Sequence, residues 1–373
     1  LHKETLEKKL ESLKNANVDI ENDEYKTTLE ALEKVYHDTA IGIRIRSKCN
    51  WYELGEKSNK YFLNLEKRNA KNYTITKLTD NDKVVTNHQE DLSDIEKYYK
   101  ILFTNKNKNT NTTCRNFLDT LETPRLTEED QTALSDDITI DELHNTLLEM
   151  ADEKSPGNDG LTCEFYKHFW DQIKQPYYDS IMHAKANGEL SASQRQAIIR
   201  LIEKKDADKT KMANWRPISL LNVDLKILSK TLANRLKQVL DKIIMSNQTA
   251  YVKDRFIGEA GRLLSDILET TDELRIGAIL VTVDFEKAFD SLNHIFIIES
   301  CRKFGIPEEM IAWIELLLKN QESCVINSGT TTKYFNLERG ARQGDPIAAY
   351  LFSIALEMMF IMIKKNDSIK PLE

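Results

Sequence analysis

At 373 residues the chain has room for two or three domains. With 40% hydrophobic and 30% charged residues, its composition is that of a globular protein with a sizeable core. A net charge of −8 argues against indiscriminate nucleic-acid binding, and five scattered cysteines without Cys-x-x-Cys spacing argue against a disulfide framework or a zinc site. Free thiols are therefore expected. The longest apolar run, 347–363, carries Glu357 in its middle and falls short of the roughly 20 residues of a membrane span, so a buried helix is expected there. The first residues (Leu1, His2, Lys3, Glu4) form no apolar signal segment, and a start at Leu suggests a piece of a longer protein.

Charge is segregated along the chain. Between Ile43 and Leu78 nine basic residues face three acidic ones, and between Arg195 and Lys242 twelve face five. The acidic excess lies elsewhere, as in 128–152. This pattern suits a basic groove with an acidic back, and equally suits solvated helix faces.

In chain order, residues 1–45 read as charged helix, with Leu6, Leu10 and Leu13, then Leu29, Leu32 and Val35, at helical spacing. A basic stretch bearing Trp51, Tyr52, Tyr61 and Phe62 follows. The polar run 105–113 marks a domain boundary. Thr139-x-x-Glu142 forms a capping box for a helix with Ile140, Leu143, Leu147 and Ala151 on one face. Ser155-Pro156-Gly157-Asn158-Asp159-Gly160 ends that helix. Residues 165–187 are predicted helical, 197–203 a short strand, and 225–244 an amphipathic helix. Residues 278–283 (Ala-Ile-Leu-Val-Thr-Val) are the clearest predicted strand, apolar enough to be buried on both faces. Residues 324–328 and 333–337 flank a hairpin turn, and Pro346 opens the apolar helix to Ile363.

Three constellations carry chemistry. Asp284 ends the predicted buried strand, where a carboxylate is costly unless compensated, and a divalent metal would compensate it. Taken alone, it could equally end a strand or cap the next helix. Arg339-Gly340-Ala341-Arg342-Gln343-Gly344-Asp345-Pro346 places two glycines beside a Gln, which permits close backbone approach to a base pair, and a helix N-terminus behind them favours phosphate. The alternative is an ordinary hairpin-to-helix turn. Leu201 to Lys205 with Asn214-Trp215-Arg216-Pro217-Ile218-Ser219 offers cations beside a strand pair that could clamp a triphosphate, or simply a basic surface loop.

The order of these elements resembles the fingers and palm of non-LTR (LINE-type) retrotransposon reverse transcriptases. Trp51-Tyr52-Glu53-Leu54-Gly55-Glu56-Lys57-Ser58-Asn59-Lys60-Tyr61-Phe62 is similar to that family's RNA-binding extension. Lys154-Ser155-Pro156-Gly157-Asn158-Asp159-Gly160-Leu161 with Glu164-Phe165-Tyr166 is similar to the element preceding its fingers. Residues 214–221 with Lys226-Ile227 resemble the fingers signature, Gln248-Thr249-Ala250-Tyr251 with Arg255 follows, and residues 284–291 and 342–352 resemble motifs A and B. The resemblance covers roughly residues 50–373. It departs from the family pattern at Glu203 (usually Pro), at Asp254 (usually Gly) and at Ala348-Ala349 (usually Ser-Pro or Ser-Ala).

The resemblance implies an α+β right-hand polymerase: a helical segment at 1–45, an RNA-binding extension at 46–125, fingers at 126–275 and a palm at 276–373 without a thumb. It implies that Asp284 is catalytic and holds Mg²⁺ together with the Phe285 carbonyl. Phe289 would be the steric gate against a ribose 2′-hydroxyl, and Gln343 and Gly344 would contact template and incoming nucleotide. Arg216, and less firmly Lys204 beside the departing Glu203, would neutralise the triphosphate, and Asp290 would hold the strand–helix corner. Lys57, Lys60, Lys67 and Arg68 would grip element RNA by phosphate contacts, with aromatics stacking. The implied partners are an RNA template, a DNA primer, dNTPs and an endonuclease domain elsewhere in the element, with no membrane, in a ribonucleoprotein of cytoplasm and nucleus. The Asp-Asp hairpin of motif C is expected after motif B. The only adjacent aspartates are Asp136 and Asp137, upstream of motif A, so the metal site is expected to be incomplete and the chain inactive by itself. The alternatives are a non-catalytic RNA-binding or domesticated remnant, and a group II intron-type reverse transcriptase.

Overall fold

The structure is a computed structural model that describes residues 6, 9, 25–32, 75, 78–80, 83–85, 88–105, 111–205 and 207–369. The backbone divides into two compact units, Leu1–Thr74 and Ile75–Glu373. In the first, residues 25–32 are helical, and Tyr25 and Leu32 are buried with Leu6 and Leu29 against them. This is the Leu29/Leu32 spacing read from sequence. The element at 51–62, with Lys57, Lys60, Lys67 and Arg68, lies outside the described residues.

The second unit is mixed α and β, as expected. A hairpin of β1 (Leu78–Asp80) and β2 (Lys83–Val85) leads into α1 (His88–Phe103). Ile95, Tyr99 and Phe103, one turn apart, form the buried stripe of α1. That stripe covers one face of the main sheet, formed by β3 (Gln196–Glu203), β4 (Trp215–Leu221), β5 (Glu322–Asn327), β6 (Thr330–Thr331) and β7 (Phe335–Asn336). The order is β4-β3-β5-β6, with β7 also on β5. β3 and β4 are antiparallel, whereas β3 and β5 run parallel. Alternation along β3 buries Ala197, Ile199 and Leu201 and leaves Arg200 and Ile202 exposed, so the opposite face stays open.

Helices make the larger core. α2 (Asn111–Asp119), α3 (Glu128–Ser135), α4 (Ile140–Glu149), α5 (Cys163–His168) and α6 (Trp170–Asn187) precede the sheet, with one turn, α7 (Ala192–Arg195), leading into β3. α8 (Val223–Lys237) and α9 (Leu240–Ile243) follow β4. Together they realise the helix predicted at 225–244, broken at Gln238-Val239. Leu225, Leu228, Leu232 and Leu236 of α8 are wholly buried. α12 (His294–Lys303), α13 (Glu308–Leu318) and α14 (Ala348–Lys364) complete this layer. The labels α10 and α11 belong to Ile257–Glu273 and Ala288–Ser291. α2 is tied to α12 by Arg115, whose Nε donates to the buried Glu299 carboxylate at 2.6 Å, with Arg302 closing on the same group at 2.8 Å. Thr139 caps α4 by accepting from the Glu142 N–H. The cysteines Cys114, Cys163, Cys301 and Cys324 are buried free thiols. No helix among the described residues is long and apolar enough to cross a membrane.

The strand predicted at 278–283 is not formed. These residues make no ladder, and Ile279 is 91% and Val281 73% exposed. Sheet propensity expresses fit against neighbouring strands and layers, and among the described residues none pairs with this segment. The preceding α10 likewise buries none of its side chains, and Leu263, Leu264, Ile267 and Leu268 form an exposed stripe. Ile279→Asp in this chain is therefore expected to change the unfolding free energy by less than about 0.5 kcal/mol in urea titration. A loss of about 2 kcal/mol or more would instead place Ile279 in a packed strand.

Candidate active site

The site is built where β4, the motif-A corner and the turn before α14 meet. The turn 339–345 is held from both sides. On the motif-A side, the Gly340 N–H donates to Leu292 O at 2.7 Å and the Ala341 N–H to Phe289 O at 2.8 Å. Asn293 and Arg339 form an antiparallel bridge, and His294 Nε2 donates to Gly340 O at 2.8 Å. Gly340 has φ +94°, and a Cβ there would stand 2.9 Å from Asp290 O. On the β4 side, the Ser219 N–H donates to Gln343 O at 2.7 Å, and Gly344, at φ +117°, comes so close that a Cβ would lie 2.6 Å from Ser219 O. The sequence marked these two glycines for approach to a base pair; what the structure shows is close approach to protein backbone, at Asp290 and Ser219, which requires glycine at both.

Behind the turn, Asp345 accepts from the Ser229 hydroxyl of α8 and from the Ile347 N–H at 3.3 Å. This fixes the start of α14. Within α14, the Phe352 ring lies 4.9 Å from the Phe289 ring and 6.5 Å from that of Phe285. Phe289 is therefore held by packing and remains half-buried. Gln343 is half-buried and Gly344 exposed. Arg216 sits exposed on the open face of the sheet, directly across from Ile202. Lys204 is half-buried at the end of β3, where its N–H donates to Asn214 O at 2.9 Å, and neighbouring Glu203 pairs with Lys209 at 2.5 Å. Asp284 and Phe285 are exposed at the end of the extended segment.

Asp290 is buried at the corner, its carboxyl pushed up to about 6 by desolvation against the pull of Lys287 and Arg339. Tyr98 and Tyr99 of α1 lie within electrostatic reach. Lys287 has a left-handed backbone (φ 53°), and its Nζ donates to Trp215 O at 3.0 Å, joining motif A to β4. Desolvation lowers its pKa. Arg342 is buried, with Nη1 donating to Arg195 O at 3.0 Å while Nε and Nη2 find no acceptor among the described residues. Burial pushes its pKa down to about 10, with Asp345 opposing. The sequence reading gave neither Lys287 nor Arg342 a role. The signal for both was a basic residue inside a motif otherwise read for its carboxylate or its glycines.

The buried Asp290 gives a pH expectation. Its folded pKa of about 6 lies above the roughly 3.9 of an unfolded aspartate, so the folded state binds the extra proton. Its favourable contribution is present below about pH 4 and is lost as pH rises through about 6. Asp290→Asn should flatten stability between those limits and exceed the parent at pH 8 by about 1–3 kcal/mol, measured by urea unfolding at both pH values.

Comparison with known proteins bears on what this corner belongs to. Residues 202–370 match the family model described as reverse transcriptase (RNA-dependent DNA polymerase). The 149 kDa protein of transposon TX1 of Xenopus laevis is 30% identical over 344 residues, covering 92% of this chain and 26% of that protein. Residues 202–370 thus carry a reverse transcriptase domain of the non-LTR retrotransposon kind. The Pol polyprotein of the type-1 retrotransposable element R2 of Popillia japonica is 26% identical over 216 residues, covering 58% of this chain and 29% of that protein. That of the type-2 element R2DM of Drosophila melanogaster is 24% identical over 205 residues, covering 55% and 19%. The chain thus spans about a quarter of the length of these relatives.

Polymerases of this family generally use divalent metal. The described side chains do not by themselves make such a centre. No group of three or more His, Cys, Asp or Glu able to hold a metal exists among the described residues. Asp284 stands exposed with only the Phe285 carbonyl beside it in sequence, and Asp136 and Asp137 lie in the α3–α4 turn, where their carbonyls accept from Arg235.

Proposed function

We propose that the second unit is the fingers and part of the palm of a polymerase that copies RNA into DNA, and that the basic stretch containing Lys57, Lys60, Lys67 and Arg68 binds element RNA. The observation that carries this reading is the double anchorage of the 339–345 turn. One clamp to β4 and one to the Phe289 corner bring β4, Phe289 and the Gln343-Gly344 turn together, which supports assigning them to one nucleotide site. In this reading Arg216 and Lys204 screen the triphosphate as fixed cations. Phe289, wedged on Phe352, excludes a 2′-hydroxyl by volume. Gln343 and Gly344 offer backbone and amide to the nascent base pair, and Asp284 supplies one carboxylate toward Mg²⁺. The partners are an RNA template, a DNA primer and dNTPs, with an endonuclease elsewhere in the element and a site of action in cytoplasm and nucleus. Domain limits near residues 45, 125 and 275 belong to the same proposal.

One observation favours a second reading. Without an acidic cluster among the described residues, the chain would bind nucleic acid and not polymerise. Mg²⁺-dependent primer extension on an RNA template tests both. The 373-residue chain is compared with a longer polypeptide continuing past Glu373 and with Asp284→Asn in each. The expected result is synthesis by the longer polypeptide alone, reduced at least about 10²-fold by Asp284→Asn, as is usual when a group stabilising developing charge is removed. RNA binding that survives Asp284→Asn with no synthesis in either length would establish the binding-only reading. Synthesis insensitive to Asp284→Asn would overturn the assignment of Asp284.

A further inference from the structure

Beside the motif-B turn, on the α4–α8 side, lies a pocket of 320 Å³ that none of the roles above uses. Three lysines line it: Lys154 from the loop after α4, and Lys226 and Lys230 one turn apart on α8. Glu149 is the single acid in the lining. It pairs with Lys230 at 3.2 Å and is also engaged by Asn234 at 3.0 Å, so a net positive charge remains. The Lys226 side chain is half-buried and makes no hydrogen bond among the described residues, while its backbone N–H donates to Asn222 O at 3.1 Å. Asp345 and Asp159 help to keep it charged against a desolvation that lowers its pKa. Met150 and Val223 give the pocket an apolar floor.

The loop that brings Lys154 here is docked firmly. Gly157 approaches the start of α8 so closely that a Cβ would fall 2.0 Å from Asn222 Oδ1 and 2.5 Å from Asn222 N. The Asp159 N–H also donates to Asn222 Oδ1 at 3.4 Å. The pocket is thus assembled by folded backbone, and it gathers three lysines of which only Lys230 is paired with the lining carboxylate Glu149. A cation cluster of this kind costs self-repulsion that only an anion relieves. Lysine is a point-charge binder of phosphate. The volume lies at the small end of ligand pockets, which suits one nucleotide and excludes a duplex. Gly344, the template-side glycine of the proposed active site, forms part of the rim.

We propose that this pocket holds a backbone phosphate, with its sugar over the apolar floor, of the unpaired template strand just ahead of the templating base. The assignment rests on the polymerase reading above, since Gly344 is what relates the pocket to the template. It makes Lys154, Lys226 and Lys230 a template-holding site separate from the cations assigned to the triphosphate.

The test is fluorescence anisotropy of the 373-residue chain with labelled DNA primer–RNA template duplexes, either blunt or with a four-nucleotide 5′ template overhang. The overhang is expected to tighten binding about tenfold, the worth of hydrogen bonds to a charged group. Lys154→Gln with Lys226→Met, which keeps the α8 packing volume, should remove most of that gain. It should also reduce the salt slope of overhang binding by about 0.7 for each phosphate no longer neutralised, and leave blunt-duplex affinity within about twofold. Glu149→Gln, a change on an exposed side chain that frees Lys230, should move the other way and increase the overhang gain, an effect no unfolding could mimic. If duplexes bind but the overhang adds nothing, or the lysine variant keeps the gain, the pocket assignment is wrong and the polymerase reading stands. If the overhang gain survives while the variant loses competition by inorganic pyrophosphate, the pocket serves a free phosphate and the strand assignment falls. If the unsubstituted chain binds no primer–template at all, both readings fall.

Discussion

Gly344→Ala is expected to lower the unfolding free energy by about 2–4 kcal/mol and to detach the 339–345 turn from β4. At φ +117° an alanine carries backbone strain of roughly 1–3 kcal/mol. Its Cβ would also stand 2.6 Å from Ser219 O, a backbone atom in the middle of a strand that has no rotamer with which to yield. The turn must therefore lift away. In doing so it breaks the 2.7 Å bond from the Ser219 N–H to Gln343 O, worth about another 1 kcal/mol. Gly329 supplies the control. It has φ +82° but nothing within 4 Å of a Cβ, so Gly329→Ala reports conformational strain without the clash. Urea midpoints at constant slope give both values. If Gly344→Ala costs no more than Gly329→Ala, the turn is not clamped on β4 and the site loses one of its two anchors. If it costs the larger amount, template-overhang binding should fall in the same variant, because the rim of the lysine pocket moves with the turn.

What could be read from the sequence follows from which signals are local. The strand at 197–203, the hairpin around Gly329 and the helix after Pro346 each carry their own periodicity or punctuation, and the structure forms β3, β5 to β7 and α14 there. The two special glycines were legible because only glycine tolerates what their neighbours impose. Residues 278–283 show the limit. An apolar run announces that a segment is suited to burial, but burial is granted by partners, and the described residues supply none to it or to the stripe on α10. Lys287 and Arg342 show the complementary limit. A basic residue in a motif looks the same in sequence whether it faces solvent or is driven into the interior to find a carbonyl, as Lys287 does at Trp215 and Arg342 at Arg195. The lysine pocket could not be read at all, since Lys154 and Lys226 are brought together by the fit of Gly157 on Asn222, which stand far apart in the chain.

Trp215→Ala should cost about 3–5 kcal/mol, the range for truncating a large buried aromatic. Trp215 is 2% exposed and stands at the centre of the cluster that joins α1 to the sheet, among Ile95, Tyr99, Val325 and Phe335. Its indole N–H donates to Lys209 O at 2.9 Å, so truncation also leaves that carbonyl to find another donor. Trp215→Phe separates the two effects, because it keeps most of the packing and should lose about 1 kcal/mol for the hydrogen bond alone. The same residue reaches the candidate site through its backbone, whose carbonyl accepts from Lys287 Nζ at 3.0 Å. Collapse of β4 into the space left by the indole shifts that carbonyl, so Trp215→Ala and Lys287→Met should not add. A double-mutant cycle in urea should give an interaction energy of at least about 0.5 kcal/mol, the threshold for residues sharing a partner. Additive losses would mean that the Phe289 corner is positioned by the 339–345 turn alone, and that β4 contributes its cation, Arg216, without holding motif A in place.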